Sequence, residues 1–90
     1  MPIPAEWDLT GKVAIITADR RGWTPFLATA LAEARANVAV AGSDGSDMFQ
    51  AVRAVESQGG TALAVRTNIT DFSDVESMVQ RVVAEFGRVD

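Results

Sequence analysis

The stretch VAIITADRRGWTP, Val13 to Pro25, contains the transition on which the interpretation of this sequence depends. Val13 to Ile16 is a short apolar run rich in β-branched residues, which is typical of a buried parallel strand. A polar turn containing Gly22 follows, and Thr24-Pro25 then supplies an N-cap residue and a first helical residue. The stretch therefore predicts a strand, a tight turn and the start of a helix in immediate succession.

Two further strands and two further helices follow the first pair. Val38 to Ala41 and Ala62 to Val65 are short apolar runs of the same kind. Between and after these runs, apolar residues recur at the spacing of one helix face, which predicts that they face a core. They are Trp23, Phe26, Leu27, Ala30, Leu31 and Ala34 in the first helix, Met48, Val52 and Val55 in the second, and Val75, Met78, Val79, Val82, Val83 and Phe86 in the third.

Turn and cap residues mark the limits of the helices. The polar stretch SDGSD, Ser43 to Asp47, predicts a turn before the second helix, and Gly59-Gly60 predicts where that helix stops. Asp71 or Ser73 can cap the third helix, and Gly87 is positioned to end it. The connections between elements are therefore short.

Strand and helix alternate three times along the chain. With short connections, this alternation favours right-handed βαβ crossovers and hence an α/β fold, a Rossmann-like parallel sheet with flanking helices. Arg88 to Asp90 has the pattern of a fourth strand that begins and is not completed. The predicted order is β-α-β-α-β-α, truncated at the start of strand four, so residues 1–90 are predicted to form part of one Rossmann domain.

The composition favours an intracellular domain without a metal site. The 90 residues are 48% hydrophobic and carry a net charge of -4 with scattered basic residues, so we expect no nucleic-acid partner. Cysteine and histidine are absent, which excludes disulfides and removes the usual zinc ligands. No apolar run approaches the ~20 residues of a membrane span and no signal peptide is recognisable, so we expect a cytoplasmic protein that does not bind membranes. Tyrosine is absent too, so most side chains used in acid–base or nucleophilic catalysis are missing.

An ordered series of segments extends from about Leu9 to Asp90. It comprises DLTGKVAIIT, a turn with Gly22, LATALAEARANVAVAG, a GG-A-LAV run, NITD and VVAEFGRVD. This series resembles the N-terminal part of a short-chain dehydrogenase/reductase, a family whose first turn usually reads T-G-x-x-x-G-x-G and binds the pyrophosphate of NAD(P). Thr17 and Gly22 match that pattern, whereas Ala18 and Thr24 replace two of its glycines. The resemblance implies an NAD(P)-binding Rossmann domain with an altered loop.

The resemblance also implies a set of cofactor-binding residues at the carboxyl ends of the strands. They are Thr17, Ala18, Arg20, Arg21, Gly22 and Trp23 around the first turn, Ser43 and Asp44 after the second strand, and Asn68 and Ile69 after the third. Alanine at position 18 costs on the order of 1 kcal/mol if φ is positive there, and Pro25 removes one N–H donor. The alternative interpretation is an ordinary helix start, with Trp23 and Phe26 in the core.

The implied cofactor is NADP, with NAD as the alternative. The end of the second strand, Gly42-Ser43, has no acidic residue to bind the ribose 2′-hydroxyl of NAD, and Arg21 resembles the basic residue of NADP-using members. Asp44, slightly further on, would instead favour NAD. Asn68 is either an adenine contact or a turn residue, and Asp71 is expected to be a helix cap.

In this family, hydride passes between the nicotinamide and a carbonyl or alcohol substrate, assisted by a tyrosine, a lysine and a serine in the later half of the fold. No residue here corresponds to them, so we expect this chain to be inactive alone and the full-length form to be a homo-oligomeric oxidoreductase. The alternative is a non-catalytic Rossmann-like module for a nucleotide or a partner protein; a Tyr-x-x-x-Lys beyond Asp90 would distinguish the two. Because strand four is incomplete, the edge of Val13 to Ile16 is exposed, and we expect the isolated chain to be marginally stable or prone to aggregation.

Overall fold

A computed structural model of the chain describes residues 5–18, 22–43 and 45–90. A short 3-10 turn, Ala5–Trp7, precedes three strands and three helices that alternate along the chain. The elements are β1 (Val13–Thr17), α1 (Thr24–Glu33), β2 (Asn37–Gly42), α2 (Gly45–Ser57), β3 (Ala62–Arg66) and α3 (Phe72–Phe86). The predicted order of elements is therefore confirmed.

The three strands form one parallel sheet in the order β1-β2-β3. Ala41 of β2 is level with Thr17 of β1 and with Val65 of β3, so the carboxyl ends of all three strands lie at the same edge. Helices cover both faces of the sheet, with α1 and α2 on one face and α3 on the other. The predicted Rossmann-like α/β fold is confirmed.

A hydrophobic core lies on each face of the sheet. The first core joins α1 and α2 to the sheet and contains Ile16, Ala28, Ala32, Val38, Val40, Met48, Ala51 and Val55. The second joins α3 to the sheet and contains Val13, Ala39, Ala41, Met78 and Val82. Because β2 contributes alternate residues to both cores, its apolar run is continuous, as expected of a strand buried on both faces.

The predicted inward face of α1 is wrong for its first three residues, although Leu31 does pack against the first core. Trp23, Phe26 and Leu27 are 59%, 77% and 53% exposed, whereas the buried residues are Thr24, Ala28 and Ala32. Thr24 is the first helical residue and Trp23 occupies the N-cap position, so the predicted cap was also one residue late. Both faces of this helix are apolar, and the small residues face the sheet because they allow the helix backbone to approach it closely.

The second and third helices agree with the sequence more closely. α2 begins at Gly45, so the second half of SDGSD forms its first turn and not a separate polar turn. Asp71 caps α3 by accepting a hydrogen bond from the Ser73 N–H at 3.0 Å. In the predicted α3 stripe, Val79 and Val83 are exposed and the other members are buried or half-buried. No helix in the described ranges is long and apolar enough to cross a membrane.

The connection from α1 to β2 contains a non-glycine residue in the left-handed region. Arg35 has φ 74°, and its N–H donates to the Ala32 carbonyl at 2.9 Å. The next residue, Ala36, donates to the Leu31 carbonyl at 3.0 Å. This pair of bonds is a Schellman motif, in which the left-handed position normally holds glycine.

Candidate functional site

The carboxyl edge of the sheet brings together the three segments that the sequence predicted to bind a cofactor. The Ala18 N–H donates to the Ala41 carbonyl at 2.7 Å, so the chain leaves β1 alongside the end of β2. The Thr67 N–H donates to the Gly42 carbonyl at 2.8 Å, which joins the end of β2 to the chain leaving β3. Residues from three separate parts of the sequence therefore lie at one edge.

The turn between β1 and α1 leaves open space next to Gly22. Gly22 has φ +79°, and nothing lies within 4 Å of the position that a Cβ there would occupy. The first turn of α1 contains no acidic residue, and the Trp23 side chain makes no capping hydrogen bond. Within the helix itself, no carboxylate therefore offsets the positive end of the α1 dipole. Predicted site residues Arg20 and Arg21 lie outside the described residues.

The last residue of β2 is Gly42, which carries no side chain. Gly42 is buried against Ala18: a Cβ on Gly42 would lie 3.0 Å from the Ala18 Cβ and 3.3 Å from the Ala18 carbonyl oxygen. Ser43, which follows, is exposed. The predicted site residue Asp44 lies outside the described residues.

The turn after β3 is organised by Asn68. Asn68 Oδ1 accepts hydrogen bonds from the Thr70 N–H at 3.1 Å and from the Thr70 hydroxyl at 2.6 Å, and the Asn68 N–H donates to Asp74 Oδ2 at 2.6 Å. Asn68 is thus a turn residue, and within the described ranges its side-chain Nδ2 has no hydrogen bond. The side chain of Ile69 is 50% exposed and adds apolar surface beside it.

Two features of this edge were not predicted. Thr67 is 1% exposed; its hydroxyl donates to the Val65 carbonyl at 2.9 Å, and its N–H joins β3 to β2. The position of this β-branched polar residue shortly after an apolar run is the sequence feature that could have predicted its burial. The contact between Ala18 and Gly42 was also missed, because two residues that adjoin different strands approach each other only through the register of the sheet.

Arg88 and Asp90, whose pKa values are shifted, lie away from the carboxyl edge of the sheet. Hydrogen bonds from Arg88 and from the Val13 N–H lower the pKa of Asp90, and the bond to Asp90 raises the pKa of Arg88. Asp90 contacts Val13, at the opposite end of β1. Within the part of the chain that the structure describes, no group of three or more acidic side chains could hold a metal ion.

Comparison with known proteins identifies the family. A family profile described as short chain dehydrogenase matches residues 12–90. A hydroxynaphthalene reductase of Aspergillus fumigatus is 36% identical over 83 residues, which cover 91% of this chain and 30% of that protein. A 3-oxoacyl-(acyl-carrier-protein) reductase of Staphylococcus aureus is 32% identical over 80 residues, which cover 88% of this chain and 32% of that protein.

Solved structures share the fold. A short-chain type dehydrogenase/reductase from Mycobacterium marinum matches with a TM-score of 0.85 and 34% identity, covering 93% of this chain and 34% of that one. An NADH-dependent reductase complexed with NAD matches with a TM-score of 0.79 and 27% identity, covering 93% of this chain and 35% of that one. The chain spans about a third of the length of these relatives. It belongs to the short-chain dehydrogenase family, and it corresponds to the N-terminal NAD(P)-binding segment of that fold, as the sequence predicted.

Proposed function

We propose that this chain binds the adenosine and pyrophosphate portions of a nicotinamide dinucleotide in an NAD(P)-dependent oxidoreductase. The observation that supports the proposal best is the meeting of the β1–α1 turn, the end of β2 and the β3–α3 turn at one edge of the sheet. In parallel α/β sheets, ligands bind at the carboxyl ends of the strands. Membership of the short-chain dehydrogenase family and the NAD bound to a structural neighbour support the same class of ligand.

The residues at this edge fit a dinucleotide. Gly22 leaves open space where a side chain would otherwise meet a phosphate, and α1 begins without an acidic residue. Gly42 likewise leaves the end of β2 without a side chain. Ala18 and Pro25 depart from the family pattern by adding a methyl group and removing one N–H, yet neither closes the space beside Gly22.

Each segment has a separate task in this proposal. The backbone around Gly22 and the positive end of α1 bind the pyrophosphate. The Nδ2 of Asn68 and the apolar surface of Ile69 contact the adenine ring, while Thr17, Ala18 and Trp23 border the phosphates. The nicotinamide, when bound, supplies the hydride chemistry. Because this chain has no tyrosine or histidine, we assign the acid–base groups for that chemistry to other parts of the full-length protein.

We propose NADP as the preferred cofactor. The end of β2 offers Gly42 and Ser43, and neither residue carries a charge that would repel a 2′-phosphate. Arg21 would bind that phosphate as a cation, whereas Asp44 would favour the 2′-hydroxyl of NAD. The preference therefore depends on the balance between these two charged residues and on the absence of a side chain at Gly42.

Titration of the full-length gene product with NADPH and NADH tests the binding site. Gly22→Val should weaken binding of both cofactors by about tenfold or more, since it fills the space beside the phosphates and strains the turn. Gly59→Val is the matched control: Gly59 also has φ +79° and open space around it, but it precedes β3 at the opposite end of the sheet. Absence of binding at millimolar concentration, or equal losses in both variants, would refute the proposal.

The remaining features of the full-length protein follow from the same proposal. Residues 1–90 form part of its Rossmann domain, its substrate is a carbonyl or alcohol compound, and it assembles as a homo-oligomer in the cytoplasm. NADPH consumption with a panel of ketones tests the substrate class, and light scattering measures the assembly. Fractionation of the source cells tests the location.

A further inference from the structure

The contact between Ala18 and Gly42 restricts what can stand at the end of β2. A Cβ on Gly42 would lie 3.0 Å from the Ala18 Cβ, 3.3 Å from the Ala18 carbonyl oxygen and 3.6 Å from the Ala18 Cα. Carbon atoms in favourable contact are about 3.5–4.0 Å apart. A side chain at residue 42 therefore requires Ala18 to move.

Both residues are held in place by the sheet. The Ala18 N–H donates to the Ala41 carbonyl at 2.7 Å, and its methyl group packs against the core shared by α1 and α2. The Gly42 carbonyl accepts the Thr67 N–H at 2.8 Å. Because these hydrogen bonds restrain both backbones, side chains at residues 18 and 42 are accommodated together only if one of them shifts by a few tenths of an ångström.

We propose that Ala18 is a specificity-determining residue of the dinucleotide site. Its methyl group disfavours any side chain at the end of β2, so the adenosine ribose meets only backbone where an acidic side chain would otherwise stand. A carboxylate at that point hydrogen-bonds the 2′-hydroxyl of NAD and repels the 2′-phosphate of NADP. Ala18 thus favours NADP without touching the 2′ position, and this inference rests on the proposed dinucleotide binding.

The distances around residue 42 indicate why Ala18 should be replaced before a carboxylate is introduced there. Replacing Ala18 with glycine removes the 3.0 Å contact between the two Cβ positions and leaves only the carbonyl oxygen at 3.3 Å and the Cα at 3.6 Å. A carboxylate at residue 42 is therefore accommodated at lower cost when Ala18 is replaced by glycine. Ala18→Gly by itself introduces no charge and serves as the reference against which the double variant is compared.

A double-mutant cycle in the full-length gene product tests the inference. The variants are Ala18→Gly, Gly42→Asp, the double variant, and the same pair with Gly42→Asn, which matches the size of aspartate but carries no charge. Thermal unfolding without cofactor measures the contact, and binding of NADPH and NADH measures selectivity. Gly42→Asp and Gly42→Asn should each lower the melting temperature by a few degrees, and Ala18→Gly should restore most of that loss.

Selectivity should change most in the double variant, where the carboxylate is accommodated without displacing Ala18. With Ala18→Gly and Gly42→Asp together, the ratio of NADH to NADPH affinity should rise by about tenfold or more, the effect of a charge-assisted hydrogen bond. The asparagine double variant should recover stability without this change. The inference is overturned if the changes in melting temperature of the two single variants simply add up in the double variant. It is also overturned if Gly42→Asp changes the cofactor preference equally with Ala18 retained. Neither result affects the proposal that the protein binds a dinucleotide. Failure of the unmodified protein to bind either cofactor would overturn the proposed function itself, and the inference with it.

Discussion

Both backbone polar groups of Val13 are paired with Asp90, although the two residues are 77 positions apart. The Val13 N–H donates to Asp90 Oδ2 at 2.9 Å, and the Asp90 N–H donates to the Val13 carbonyl at 2.9 Å. Val13 is 1% exposed, so its polar groups would otherwise be buried without partners. The pairing places the last residues of the chain beside β1, on the side away from β2, where the sequence predicted a fourth strand to begin.

The Asp90 carboxylate should make stability depend on pH. It accepts hydrogen bonds from Arg88 and from the Val13 N–H, and these lower its folded pKa. Its contribution is therefore present above the unfolded pKa of about 3.9 and is lost as the pH falls through the lower folded value. We expect Asp90→Asn to lower the melting temperature at pH 7, with a difference that shrinks below about pH 4.

Circular dichroism melts of both proteins between neutral and acidic pH measure this difference. Other carboxylates titrate equally in the two proteins, so the difference isolates residue 90. A gap between the proteins that stays constant through the acidic range would contradict the assignment.

Arg35→Gly should stabilise the protein. Arg35 occupies a left-handed position, where a Cβ costs about 1 kcal/mol or more and glycine does not. We expect a gain of about 1 kcal/mol in the free energy of unfolding, measured by denaturant titration. Arg35→Ala, which keeps the Cβ, is the control and should give no comparable gain. If alanine and glycine stabilise equally, loss of the arginine side chain and not relief of backbone strain is the cause.

Two neighbouring valines of α3 should differ strongly in their contribution to stability. Val82 is 0% exposed, whereas Val83 is 42% exposed. Val82→Ala should cost about 2 kcal/mol because it removes buried methyl groups and leaves a cavity. Val83→Ala should change the free energy of unfolding by about 0.5 kcal/mol or less. Equal effects in urea unfolding would mean that the helix packs through a different face.

The isolated 90-residue polypeptide should self-associate. The apolar side chains of Phe26 and Leu27 are 77% and 53% exposed on α1, and β1 pairs with Asp90 only at its beginning. Light scattering coupled to size-exclusion chromatography should detect species larger than a monomer. Replacing Phe26 and Leu27 with aspartate should increase the monomer fraction.

Phe49→Asp on α2 is the matched control for that experiment. Phe49 is 61% exposed, and Arg53 lies over its ring at 5.6 Å from the centroid, so this ring is partly covered by a cation. Its replacement should reduce association less. A monomer that unfolds sharply and reversibly without any substitution would refute the expectation.

The strands and their parallel arrangement could be predicted from local pattern. Val13 to Ile16 and Val38 to Ala41 are β-branched runs bounded by turn residues, and β2 is buried on both faces as its unbroken apolar run indicates. The cap of α3 was equally readable, because Asp71 stands directly before the helix and bonds two residues ahead. Such features depend on neighbours in the sequence, so the sequence contains their physical cause.

The orientation of α1 and the geometry at the end of β2 depended on tertiary packing. α1 is apolar on two faces, so its periodicity does not determine whether Ala28 or Phe26 faces the sheet. Ala28 does so, because that choice depends on how closely the helix backbone approaches the sheet. Asn68 Oδ1 accepts two hydrogen bonds from Thr70, so this atom organises the turn after β3. Ala18 and Gly42 meet only because the register aligns the ends of β1 and β2. Local sequence determined which segments become strands and helices, whereas contacts between distant segments determined which atoms share the candidate site.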